Sequence, residues 1–299
     1  MSQPAGAGQS VVSLSVMRGS IARRLLAAAV VVVGGGLSPV SASAQGAAAN
    51  RVAAADNTEL SPDRPDFTES SDVVSRATVQ FESGLTYEGD VDAGVRSRSV
   101  TVSGGLLRFG VGHRAELRLS ADGLASETVQ ETRTSGYSDV AVGAKLRLFD
   151  QRQIGVDLAV LPLLSLPVGT EGVTSGGVDP TVKVAWARTL PGDVDISGNV
   201  NASSLSDEAG RFRQQALSVS LGRDLFAGVG GFAEVYALSR VTRHSAAGVS
   251  IDAGVAHAIG EDLQIDVEAG RGLTAAASDW FVGFGITVRG RVPRWSRQR

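Results

Sequence analysis

The 299-residue chain contains no cysteine, which excludes disulfides and thiolate metal sites. Histidine is nearly as scarce, with only His113, His244 and His257. They stand far apart, without metal-ligand spacing, and no GxSxG stretch occurs. No metal site and no His-activated nucleophile is therefore written in a known form, and neither cofactor nor catalysis is expected. Charge is also sparse: 20% of residues are charged, and the formal net charge is −3. That balance gives no basic surface for nucleic acid. Beyond the N-terminus no apolar run reaches 18 residues, so the mature chain holds no transmembrane helix. A closed barrel, however, crosses a bilayer without any such run.

Near the N-terminus, Arg18, Arg23 and Arg24 precede the apolar stretch "LLAAAVVVVGGGL" at 25–37, then Ala42-Ser43-Ala44. A basic region, a short apolar region and an A-x-A site form a secretory signal, and the apolar stretch is too short to span a bilayer. Residues 1–44 are expected to be removed on export. Residues 45–76 are expected to form a leader, flexible over its alanine-rich first part. Residues 77–290 follow as one domain, and 291–299 as a basic tail.

That domain alternates. In "TVQFESGLTY", Val79, Phe81, Leu85 and Tyr87 oppose Gln80, Glu82, Gly84 and Thr86. In "SDVAVGAKLRL", Val140, Val142, Ala144 and Leu146 oppose Asp139, Gly143, Lys145 and Arg147. Val182 and Val184 alternate with Lys183 in the same way. Twelve such segments run from 77–88 to 279–290, each with the period-two pattern of a strand and a length that suits a tilted membrane strand. Connections alternate between long (89–95, 123–136, 169–178, 204–211) and short (110–113, 150–153, 191–193, 260–262). Outer-membrane barrels sort their loops this way, with short periplasmic turns and an even strand number, whereas a soluble sandwich has no reason to. The predicted fold is thus all-β: a closed antiparallel transmembrane β-barrel of about twelve strands, of outer-membrane type.

On this reading Val140, Val142, Val182 and Val184 face lipid. Tyr87, Trp186 and Trp280, near strand ends, suit an aromatic girdle. The opposite parity lines a wet lumen, since lipid offers no partner for charge. Its candidates are Glu82, Glu116, Arg118, Asp139, Lys145, Arg147, Asp157, Lys183, Asp252, Asp266 and Glu268. Small residues there (Gly143, Ala159, Ala185, Ser218, Ser220, Gly254) are expected to leave space. Ahead of the first strand stands "SPDRPDFTES", residues 61–70. Pro62 and Pro65 make it a poor helix and a poor strand, but cheap to order in extended form. Asp63, Arg64, Asp66, Phe67 and Glu69 are expected to fold into or across the periplasmic mouth. A solvated linker is the alternative.

These blocks, "SPDRPDFTES", "VQFESGLTYE", "LLRFGVGHRAELRL", "YSDVAVGAKLRL", "LPLLSLPVGT" and "DLQIDVEAGRGLTAAASDWFVGFGITVR", resemble an outer-membrane transporter family labelled "MetA-pathway of phenol degradation". The resemblance covers about residues 61–290. It implies a Gram-negative outer-membrane location after export, lipid and the outer-membrane assembly machinery as partners, and a small-molecule solute, aromatic or otherwise poorly soluble, as cargo. One departure stands out: such barrels finish on an aromatic residue, whereas here Ile286 and Val288 precede a basic tail. The expected function is passive small-molecule passage. A structural or surface-interaction barrel with a filled lumen is the alternative, and an outer-membrane hydrolase a more distant one.

Overall fold

In the computed structural model, residues 60–92 and 94–291 are described. The expected signal peptide, the leader up to residue 59 and the tail from residue 292 lie outside them. Fifteen strands and one helical turn follow in order. The strands are β1 (Thr78–Asp92), β2 (Val95–Val102), β3 (Gly105–Gly110), β4 (Ala115–Ala121), β5 (Leu124–Val129), β6 (Thr132–Tyr137) and β7 (Val140–Phe149). After α1 (Gln151–Ile154) come β8 (Asp157–Leu166), β9 (Asp179–Leu190), β10 (Val194–Asp207), β11 (Gly210–Phe226) and β12 (Val229–Leu238). The last three are β13 (Gly248–Ile259), β14 (Leu263–Gly272) and β15 (Trp280–Arg291).

Every pairing is antiparallel. Twelve strands close on themselves: β1, β3, β4 and β7 through β15, with β15 returning to β1 from Thr78↔Arg291 to Gly89↔Trp280. Closure removes the sheet edge that would otherwise leave backbone groups unpaired in an apolar medium. Alternation decides which side faces out. Phe81, Leu117, Val182, Leu217, Val235 and Phe284 belong to an exposed apolar belt around the outside. On the inside Gln80, Glu82, Arg108, Glu116, Lys145 and Glu234 are almost fully buried. A soluble protein would invert this arrangement, so the pattern is that of an outer-membrane barrel.

Three connections read as long loops are instead largely strand. Beyond the barrel rim β2, β5 and β6 extend β3, β4 and β7 and pair as β1–β2–β5–β6, forming a flap. The expected loops 89–95 and 123–136 are thus mostly the arms of hairpins, and 204–211 shrinks to the two residues between β10 and β11. The flap has polar residues on both faces, so no apolar parity marked it as strand. The short turn at 150–153 holds the single turn of α1.

Val184, in the middle of β9 and on the parity of Val182, tests the lipid-facing assignment. Val184→Arg should cost about 2–4 kcal/mol of folding stability near the bilayer midplane, read by denaturant unfolding in lipid vesicles. Lys183→Gln, facing inward, should cost less. The reverse order would mean the two faces are inverted.

Candidate functional site: a strap across the lumen

The lumen is not empty. Residues 61–76 enter at the short-turn end, run inside the barrel as a strap, and leave through a tight turn into β1. There the Thr78 N–H donates to the Ser75 carbonyl at 3.1 Å, and the Ala77 N–H to Gly110 O at 2.9 Å. The strap backbone lies so close to β3 that a side chain at Gly110 would strike Ser75. Leu60, Asp63, Thr68, Ser71, Asp72, Val73 and Val74 are all buried.

Asp63 is the hub. Its carboxylate accepts from Arg118 Nη1 at 2.6 Å and from Lys145 Nζ at 2.8 and 3.0 Å. Arg108 Nη1 lies at 3.4 Å. The Asp63 N–H donates to Glu82 Oε2 at 2.9 Å, and its Oδ1 accepts the Ser70 N–H at 2.9 Å, folding the strap back on itself. Arg108 is fully buried. Its guanidinium grips Glu116 through Nε at 2.8 Å and Nη2 at 3.0 Å, the Ser61 carbonyl at 2.6 Å and the Asp72 carbonyl at 3.0 Å. Further along, Glu69 pairs with Arg118 at 3.0 Å and with Lys183, and Asp72 with Arg147 at 3.1 Å. The Val74 N–H donates to Glu116 at 2.7 Å.

The opposite wall is acidic and aromatic. Arg64 reaches Asp266 at 3.6 Å and the Phe284 carbonyl at 3.4 Å. It passes between Gly84 and Gly285, where any Cβ would run into its guanidinium. Phe67 stacks on Tyr236 with ring centroids 4.6 Å apart and planes within 7°. The Phe67 N–H donates to Glu234 at 2.6 Å, and Thr68 Oγ1 bonds Glu234 and lies 2.6 Å from Ser218 Oγ.

Of the expected lumen residues, Glu82, Glu116, Arg118, Lys145, Arg147 and Lys183 meet the strap or its partners directly, as does Asp266 through Arg64. Asp157 is inside too, bonded to Arg147 at 2.7 Å, and Asp252 and Glu268 are buried on the acidic wall. Asp139 is the exception. It lies at the rim between β6 and β7, where it accepts the Gly169 and Ser175 N–H groups at 2.9 Å and anchors the 167–178 loop. The small inward residues do not leave open space either. Ala159 and Ala185 pack with Leu161 in a solvent-free cluster, Ser218 holds the strap, and Phe232 covers Gly254. Arg108, Glu234 and Tyr236 were missing from the candidates. All three lie on the polar parity of "GLLRFG" and "VGGFAEVYAL", and that parity is the signal that would have found them.

Burial works against every strap carboxylate, and their neighbours decide the outcome. At Asp63, Arg108, Lys145 and Arg118 outweigh burial and hold the group well below the usual carboxylate range. At Glu69, Lys183 and Arg118 do the same, to about 2. At Asp72 burial prevails over the Arg147 pair, and Asp157 adds to it, raising the group to about 6. Asp66 faces Glu234 and Asp252, and burial beside those acids raises it well above its ordinary value.

The family described as "Putative MetA-pathway of phenol degradation" matches residues 62–290. The chain belongs to that family. The match begins within the strap and ends with the last strand. No curated protein matches significantly. Solved structures with some likeness include the NanC porin (10% identity, 70% of this chain and 98% of that one, TM-score 0.45). Another is the KdgM porin (10%, 71% and 98%, TM-score 0.40). A third is the transport unit of the autotransporter AIDA-I from Escherichia coli (9%, 76% and 93%, TM-score 0.47).

The strap charges predict a pH dependence. Depressed groups such as Asp63 and Glu69 add stability above their unfolded values, and that stability is lost as pH falls through their low folded values. Raised groups act oppositely: seating weakens as pH climbs from about 4 through about 6 at Asp72, and further as Asp66 ionises. Hydrogen-exchange protection of the Asp63, Phe67 and Val74 amides, corrected for intrinsic rates, should therefore fall between pH 5 and pH 8. Asp72→Asn should flatten the lower part of that fall. An unchanged pH profile in the variant would rule out Asp72 as its source.

Proposed function

We propose that this protein is an outer-membrane passage barrel for small molecules, closed at its periplasmic mouth by its own N-terminal strap and open when the strap lifts. The short turns and both ends of the described chain share one end of the barrel, which is periplasmic in outer-membrane barrels. The observation that carries the reading is the reach of the strap. It bonds or stacks to β1, β3, β4, β7, β9, β11, β12, β14 and β15, nine of the twelve closing strands.

Its contacts are ion pairs and hydrogen bonds far more than apolar packing. Water can replace such contacts at modest net cost, which suits a reversible closure better than a permanent core. With the strap lifted, the wall would present Arg108, Arg118, Lys145, Arg147 and Lys183 opposite Glu234, Asp252, Asp266 and Glu268. A wet path of that kind suits small polar or amphiphilic solutes, and the family description points to phenolic compounds among them.

The filled, static barrel is the second reading, favoured by the buried ion pairs around Asp63 and Arg108. Among the described residues no nucleophile–base constellation supports a hydrolase. His113 lies in a short turn, His244 in the 239–247 loop and His257 on the outer parity of β13, so none can serve a common nucleophile.

Planar-bilayer recording of the purified chain tests the proposal. Wild type should show rare, brief openings, whereas deletion of residues 61–74 should give a steadily open channel of higher mean conductance. A deletion barrel that folds and remains silent would overturn it in favour of the filled barrel.

A further inference from the structure

The flap beyond the barrel rim sorts its charges by face. Register places Gly89 opposite Arg98 and Val91 opposite Arg96. It places Arg98 opposite Thr128, and Thr128 opposite Arg133. Opposed residues share a face, so Arg96, Arg98 and Arg133 stand together on the outer one. With them are Tyr87, Val91, Val100, Leu124, Ser126 and Tyr137. The Arg133 Nε–H donates to Ser126 Oγ at 2.8 Å, which confirms the shared face. By the same parity Glu88, Asp90 and Glu127 lie on the inner face. The outer face of β1–β2–β5–β6 thus carries three arginines and no carboxylate.

All three arginines are exposed, and among the described residues no ion pair engages them. Their spacing is fixed by the sheet: Arg96 and Arg98 are about 7 Å apart along one strand, and Arg98 and Arg133 about 9–10 Å apart across two strand spacings. Directly below them lies the upper edge of the apolar belt. There Tyr87 and Trp280 meet edge to face at 5.2 Å, and Tyr137 is 67% exposed. Aromatic residues in such a position mark the membrane–water interface. The arginines therefore sit two to four residues beyond the level of Tyr87 and Tyr137, at the height of lipid headgroups rather than out in solvent.

We propose that this face binds the phosphate groups of the anionic glycolipid in the outer leaflet. Guanidinium groups bind phosphate through paired charge-assisted hydrogen bonds. Three of them on a rigid sheet match a headgroup carrying more than one phosphate. The apolar residues beneath meet its acyl chains. The inference rests on the orientation under the proposed function, with the flap on the outer side. It does not depend on whether the lumen opens.

The chain lacks cysteine, so one placed at Glu131, in the turn between β5 and β6, is a clean reporter of side. An impermeant maleimide should label it on intact cells. No labelling would put the flap on the inner side and overturn the assignment. Binding is then read on the purified full chain in neutral detergent, by native mass spectrometry with bis-phosphorylated lipid A, its dephosphorylated form or phosphatidylglycerol. Wild type should retain the bis-phosphorylated lipid at least tenfold more tightly than either of the others. The combined variant R96Q/R98Q/R133Q should lose about a hundredfold in affinity, since each surface arginine contributes several-fold. Arg152→Gln, at the opposite end, should lose none. Heat-modifiable gel mobility confirms that each barrel is folded, and the single substitutions serve if the triple variant is not. Equal retention by wild type and the folded variants would overturn the proposal, as would wild type binding the dephosphorylated lipid or phosphatidylglycerol equally well. A failure of the lumen account would appear only in the conductance records.

Discussion

The inside of this barrel depends on one carboxylate. Asp63 enters from the strap and meets Arg118, Lys145 and Arg108, on three different strands. Without it, those cations would crowd a small volume with Glu82, Glu116 and Glu69 alone to offset them. Breaking one member of a buried ionic group typically costs about 3–5 kcal/mol, because the remaining charge is left uncompensated. In the passage barrel proposed above, the lumen would have an alternative that a closed core lacks: water could enter when the strap leaves. The same pairs that hold the strap would then be rehydrated rather than stranded. A segment held mainly by apolar packing would have no comparable exit.

The strap complements a lumen divided by charge. Its acids Asp63, Glu69 and Asp72 lie against the cationic wall, and its Arg64 lies against the acidic one. Phe67 on Tyr236 adds an apolar anchor between them. Asp66 is the misfit, an acid set beside Glu234 and Asp252. Its burial there keeps it protonated far above the ordinary range, so the seat weakens from within as pH rises. On the outside of the barrel the logic reverses: an apolar belt meets the acyl chains, and the arginines of the flap stand above it.

Much of this was legible in the sequence. Strict alternation in stretches such as "VAVGAKLRL" marks both the strand and its two faces, because a membrane strand must be apolar on one side only. The charges of "SPDRPDFTES" were visible, as was their need for partners. Which partner each would meet was not, because Phe67 and Tyr236, or Asp63 and Lys145, are joined by barrel closure and not by local spacing. Arg108 was hidden by the break at Gly104-Gly105, which interrupts the strand pattern just before it. The flap was hidden because "VRSRSV" and "TRTSGY" carry polar residues on both faces. The apparent spaciousness of the small inward residues misled, since neighbouring side chains and the strap occupy that room.

Whether the strap lying in the lumen is what closes it is measured directly by a reversible staple. The Thr68 and Ser218 hydroxyls lie 2.6 Å apart, close to the separation that a disulfide requires of its sulfurs. In a chain without cysteine, Thr68→Cys with Ser218→Cys gives one defined bridge. Single-channel conductance of this double variant should be abolished under oxidation and restored by reductant in the same bilayer. Conductance that persists with the bridge fully formed would contradict the account.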